Sequence, residues 1–181
     1  MIDFLIVALL LILSGILWKT ADGHMDNGTT FGKRYTYFYD VAWAVIWCYL
    51  FFYSHNLYIV LVSIVFYWVY KLKFDFTNHG VCLITFIVGI IYYNNVNHDI
   101  IDSYGVYRTL ISILVLLGSY IFLSYIKKYN KAFWFITSIF VPSLFAIYTR
   151  DPLAGFSVFF LIGWLSAMRI FHMKQKSFIR D

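Results

Sequence analysis

The sequence predicts an all-α integral membrane protein, a polytopic bundle of about seven transmembrane helices with its N-terminus outside and its C-terminus cytoplasmic. Three observations lead there. The chain has 181 residues, 62% of them hydrophobic and 13% charged, with a mean hydropathy of +0.75. A soluble domain carries about 45–50% apolar and about 25% charged residues, so this much apolar surface does not fit inside one small globule. The apolar residues gather in seven runs, and the basic residues favour alternate connections. Residues 1–181 are therefore expected to form a single integral membrane domain.

The first run, 2–18, follows no basic stretch and precedes no small-residue cleavage site, so it reads as a retained helix rather than a cleaved signal peptide. The second, third and fourth runs, 38–53, 57–70 and 80–93, are short beside the roughly 20 residues that cross about 30 Å of hydrocarbon. Flanking Tyr, Trp and Phe extend them into the interface, where aromatic rings sit well. For the third and fourth, a bent pair or re-entrant hairpin is the alternative to two crossings. The fifth run, 107–126, is long enough alone. The sixth, 132–148, contains Pro142, a kink that membrane helices tolerate. The seventh, 154–171, follows the turn signal Asp151-Pro152. Gly15, Gly89, Gly118 and Gly163 lie inside runs and allow close helix contact.

Seven crossings orient themselves. The first, third and fifth connections and the C-terminal tail hold Lys19, Lys33, Arg34, Lys71, Lys73, Lys127, Lys128, Lys131, Arg169, Lys174, Lys176 and Arg180, twelve of the 14 basic residues. Only Arg108 and Arg150 fall on the other side. Cytoplasmic loops collect Lys and Arg, which accounts for the net charge of +5 without nucleic acid. The expected location is a cell membrane, plasma or bacterial inner. Cys48 and Cys82 sit in apolar runs and read as small core residues rather than a disulfide framework. The nine acidic residues are all Asp, a residue suited to caps and loops.

The centres of the runs carry no Lys, Arg, Asp or His. Ionisable groups inside a bilayer are costly and mark ion paths, so a proton pump, a voltage sensor and a retinal protein are all disfavoured.

Polar residues gather instead at the ends. Asp22, His24 and Asp26 alternate in the first connection, so an extended or looped backbone, favoured by Gly23 and Gly28, would turn all three one way. In a helix, Asp22 and Asp26 share a face and His24 leaves it. Asp75 and His79, four apart, belong to the third connection on the same side. These oxygen and nitrogen donors suit a divalent metal, Mg, Mn or Zn. In that reading Asp22, Asp26 and His79 hold the metal, and His24 or Asp75 acts as general base on a water. Lys33 and Arg34 neutralise a phosphate or headgroup, with Asp40 at the edge. An EF-hand is excluded, because the sixth and twelfth positions from Asp22 are Asn27 and Lys33. The competing account is that these residues cap helices and make turns. On the opposite side, His55, His98 and Asp102 are the residues to test.

Two functions remain. One is a small transporter- or channel-like protein or a subunit of a membrane complex. The other is a metal-dependent membrane enzyme acting on a lipid headgroup or phosphoester at the cytoplasmic face. The expected partners are the bilayer, a lipid or small-molecule ligand, and a membrane protein or second copy, with no nucleic acid.

Overall fold

In hydrocarbon the backbone has no water to bond, so an apolar chain satisfies its own N–H and C=O groups as helix. The computed structural model describes residues 2–27, 33–70, 77–126 and 131–178, with side chains for 3–21, 35–70, 80–100, 102–125 and 139–170. Its elements are α1 (Ile2–Asn27), α2 (Lys33–Leu50), α3 (His55–Tyr70), α4 (Thr77–Val96), α5 (His98–Tyr104), α6 (Val106–Ile126), α7 (Lys131–Thr149), α8 (Pro152–Gly155) and α9 (Val158–Phe178). No strand occurs among the described residues.

All seven apolar runs are helical over most of their length. Three stretches are long and apolar enough to cross a membrane: Asp3–Ala21 of α1, Val106–Tyr125 of α6, and Pro152–Ile170, which joins α8 to α9. A fourth arises if the bent pair of α4 and α5 counts as one span. α3 is a shorter apolar helix, and α2 carries Lys33, Arg34 and Asp40. The break in the middle of the chain falls at Asn97, where α5 turns 75° from α4. Sequence places the ambiguity one helix earlier, between the third and fourth runs. The backbone is also helical through Asn27, so Asp22, His24 and Asp26 lie on helix rather than loop. Gly23 is absorbed into α1.

α1 and α9 approach most closely. A Cβ at Gly15 would overlap the Phe160 carbonyl oxygen and lie 2.8 Å from the Trp164 nitrogen; one at Gly163 would overlap the Ile12 carbonyl. Gly89 faces the Cys48 side chain in the same way, whereas Gly118 meets nothing. Glycine in a membrane helix lets two backbones come together and gain dispersion along their length.

Contacts along the helices give their directions. Phe4 meets Phe156, and further along Lys19 lies over Trp164, so α1 and α9 run parallel. Trp18 meets Trp43 while Ser14 meets Trp47, so α2 runs against α1. Trp43 with Phe86, and Phe52 with Tyr92, make α4 parallel to α2. Phe51 with Tyr58, and Trp47 with Trp68, set α3 against α2. His55 with Thr109, and Tyr67 with Tyr120, align α6 with α3. Asp151 at the end of α7 bonds Ser54 ahead of α3, returning α7 to the end where α3 and α6 begin.

α7 ends with Arg150 in the left-handed conformation, φ 55°, while the Asp151 N–H reaches the Ala146 carbonyl at 3.0 Å. That return closes the helix as a glycine usually does. The Asp151 carboxylate then accepts from the Leu153 N–H at 3.0 Å, with Pro152 opening α8.

Candidate functional site

The described polar side chains collect in two places that share an element. The first is the end of the bundle where α3 and α6 begin. Ser54 caps α3 by accepting from the Asn56 and Leu57 N–H groups, 3.1 and 3.2 Å, and donates its own proton to Asp151. Asn56 donates to the same carboxylate at 3.1 Å and accepts from the Tyr104 hydroxyl at 3.2 Å. Thus one short turn ties α3 to α5 and to the α7–α8 corner. Tyr104, on α5 outside the apolar runs, has its hydroxyl pushed above the usual range by burial, opposed by the nearby Arg108. It stays a neutral donor.

His55 follows. Its Nδ1 lies 3.1 Å from the Tyr93 hydroxyl and its Nε2 lies 3.0 Å from the Thr109 hydroxyl, so one ring joins α3, α4 and α6. In neutral imidazole one nitrogen donates and the other accepts, which obliges the two hydroxyls to take opposite roles. Tyr93 stacks on Tyr58 at 4.2 Å, and Tyr58 donates to Asn94 at 3.1 Å.

The second place is the seam that runs from His55 down the contact of α3 with α6. Ser63, fully buried, donates to its own helix at Ile59 (2.7 Å) and reaches the Ile113 carbonyl across the seam at 3.5 Å. One turn on, Tyr67 packs against Tyr120 with ring centroids 5.8 Å apart, and a turn further along α6 Ser124 donates to its own helix at Ile121 (2.8 Å). The Tyr120 hydroxyl is buried and has no hydrogen-bond partner among the described residues. Thr109, Ser63, Tyr120, Tyr67 and Ser124 therefore form a file of hydroxyls beside Ile113, Leu116 and Leu123.

Elsewhere the core is rich in aromatic side chains. Trp18, Trp43, Trp47 and Trp68 pack with Phe86 and Phe160, their ring centroids 4.4–6.0 Å apart. Trp47 donates to the Ser14 hydroxyl at 3.0 Å and Trp43 to Asp40 at 2.8 Å. Asp40 is fully buried rather than lying at the edge of a surface cluster. A carboxylate so placed is held by the indole N–H three residues on, and that Asp-x-x-Trp spacing is a signal readable in the sequence.

The residues singled out from sequence divide unevenly. Asp22, His24 and Asp26 sit on the last turns of α1, Lys33 and Arg34 on the first turn of α2, and His79 on the first turn of α4. Their side chains, and all of Asp75, lie outside the described residues. Of the residues on the other side, His55 is in the network, while His98 pairs with Asp99 at 3.1 Å on an exposed surface and Asp102 is exposed. Among the described residues no group of three His, Cys, Asp or Glu is placed to hold a metal.

Sequence reasoning missed Ser63, Tyr67, Thr109, Tyr120 and Ser124. Lone hydroxyls in apolar runs look like ordinary helix residues, and only the pairing of α3 with α6 brings them into line. Comparison with known protein families, curated proteins and solved structures finds no match for this chain.

Proposed function

We propose that this chain is a seven-pass membrane protein, N-terminus outside and C-terminus cytoplasmic, working as a small transporter- or channel-like protein or as such a subunit of a membrane complex. The observation that carries the role is the file of hydroxyls along α3 and α6, the longest polar line in a bundle that elsewhere buries mostly apolar side chains, with Ser14, Thr36, Asp40 and Ser157 as separate polar positions. Polar groups in a bilayer interior are expensive to leave unpaired, and a line of hydroxyls along one helix pair offers a solute successive hydrogen-bonding partners.

The topology is supported by the helix directions. α1, α3, α6 and α9 run one way and α2, α4 and α7 the other, as strict alternation of seven crossings requires. With that alternation the basic connections share one side, and α5 lies at the opposite surface. Cysteines placed at Asp99 and Ser103, both exposed on α5, are expected to react with an impermeant thiol reagent on intact cells. One at Ser177 is expected to react only after permeabilisation. The reverse labelling would overturn the orientation. Labelling of all three on intact cells would overturn the number of crossings.

A second reading, a metal-dependent enzyme acting on a lipid headgroup or phosphoester, is supported by the same directions. They bring the C-terminal end of α1 and the N-terminal ends of α2 and α4 to one end of the bundle, and with them Asp22, His24, Asp26, Lys33, Arg34 and His79. Elemental analysis of the purified protein is the test. Near-stoichiometric Mg, Mn or Zn, lost in the Asp26→Ala, His79→Ala double variant, is expected if that reading holds. No metal after divalent ions are restored would return these residues to helix ends.

A further inference from the structure

We propose that the α3–α6 seam is the path of a small uncharged hydrogen-bonding solute, and that the Tyr120 hydroxyl is the group that engages it in the membrane interior. The proposal rests on the transporter- or channel-like reading and adds to it a route, a solute class and a residue.

The route follows from register. α3 and α6 are parallel, so polar positions on one meet polar groups on the other in order along the seam: His55 with Thr109, Ser63 with the Ile113 carbonyl, and Tyr67 with Tyr120, with Ser124 one turn beyond on α6. Thr109 and Ser124 are 15 residues apart on α6, which at helical rise is about 22 Å. The line thus covers most of the roughly 30 Å hydrocarbon core. His55 stands at its entrance, joined to Tyr93 and Thr109.

The solute class follows from the lining. Past His55, every polar group described along the seam is a hydroxyl, which donates or accepts, or a carbonyl, which accepts, and none carries a charge. An ion there would lose its hydration and find no countercharge, whereas a neutral molecule bearing O–H or N–H groups exchanges its water bonds one for one. Ser63 already divides its bonding between its own helix at 2.7 Å and the seam at 3.5 Å. The longer bond is the one a solute replaces.

The residue follows from the one buried seam hydroxyl that lacks a partner among the described residues. Tyr120 is 8% exposed, its ring is held against Tyr67, and its hydroxyl meets no donor or acceptor among the described residues. A phenylalanine would fill the same space without stranding a polar atom in a dry interior, so packing does not account for the oxygen. A solute that bonds it in passing does.

The test uses the full chain in proteoliposomes, with urea and glycerol as probes and permeability read by stopped-flow light scattering. The wild-type protein is expected to raise permeability to at least one probe above that of empty liposomes. Tyr120→Phe is expected to lower that increment at least tenfold while its thermal midpoint holds or rises, and Ser63→Ala to lower it in the same direction. Gly118→Ala, on the open side of α6 where an added Cβ meets nothing, is expected to leave it unchanged. Wild-type permeability in folded Tyr120→Phe and Ser63→Ala variants would overturn the route and leave the transporter-like reading standing. Flux of potassium or protons without urea or glycerol would overturn the solute class. No flux of any probe would overturn the proposal together with the reading beneath it.

Discussion

Gly163→Leu is expected to abolish a folded, monodisperse protein in detergent, and Gly163→Ala to destabilise it measurably. At Gly163 even a methyl group would overlap the Ile12 carbonyl oxygen and stand 2.8 Å from its carbon. That obstacle is backbone and cannot rotate aside. Overpacking a well-fitted contact costs about 1–3 kcal/mol, and more where the neighbour cannot move. Here the whole α1–α9 contact must open, because Gly15 meets α9 equally closely from the other side, against the Phe160 carbonyl. The thermal midpoint in detergent is the measure for the alanine variant, and loss of the size-exclusion peak for leucine. Gly118→Leu is the control. With nothing within 4 Å of its added Cβ, it should elute as wild type. Equal behaviour of the two leucine variants would mean that α1 and α9 are not packed this way.

The second large effect is expected at Trp47. This ring is completely buried and touches Trp43, Trp68, Phe86 and Phe160, so it links α2 to α3, α4 and α9. Its indole N–H also donates to Ser14 on α1. Trp47→Ala removes the largest part of that contact and leaves a cavity, at a cost of about 3–5 kcal/mol. The thermal midpoint should fall on the order of 10 °C for a chain of this size. Trp47→Phe keeps an aromatic ring and loses the Ser14 bond, worth about 1 kcal/mol. The alanine variant should therefore lose several times what the phenylalanine variant loses. Equal losses would put the hydrogen bond, not the ring packing, at the centre of the core.

Some of this was legible in the residues alone. An all-helical membrane chain follows from composition, because hydrocarbon permits few other ways to satisfy a backbone. The seven apolar runs fall on helices because each run is bounded by residues that prefer water. Asp151-Pro152 reads as a turn and forms a capped one, since proline fixes its own φ and the preceding carboxylate accepts the freed N–H. Cys48 and Cys82 read as core residues and remain free thiols, buried or half-buried.

Other features were not legible, for identifiable reasons. Gly118 and Gly163 look alike in sequence, yet one is open and the other pressed against a backbone, since the difference lies in which helix passes by. Asp40 reads as a residue at the mouth of a helix but is buried, because Trp43 one turn on supplies its hydrogen bond. The bend at Asn97 carries no proline to announce it. His55 stands out as one of three equal polar residues on its side; the fold joins it to Tyr93 and Thr109 and leaves His98 and Asp102 on the surface.

The sequence by itself determined the solvent and the secondary structure of this protein. Both depend on the sum of many residues, and 62% apolar content leaves the sum in no doubt. Tertiary structure alone decided which helices are neighbours, and so which polar atoms meet. Helix partnership in a membrane is settled by small differences in close packing, with glycines and ring shapes counting for more than hydrophobicity, because lipid and helix are equally apolar. The pairing of α3 with α6, and with it the line from His55 to Tyr120, belongs to that second kind of information.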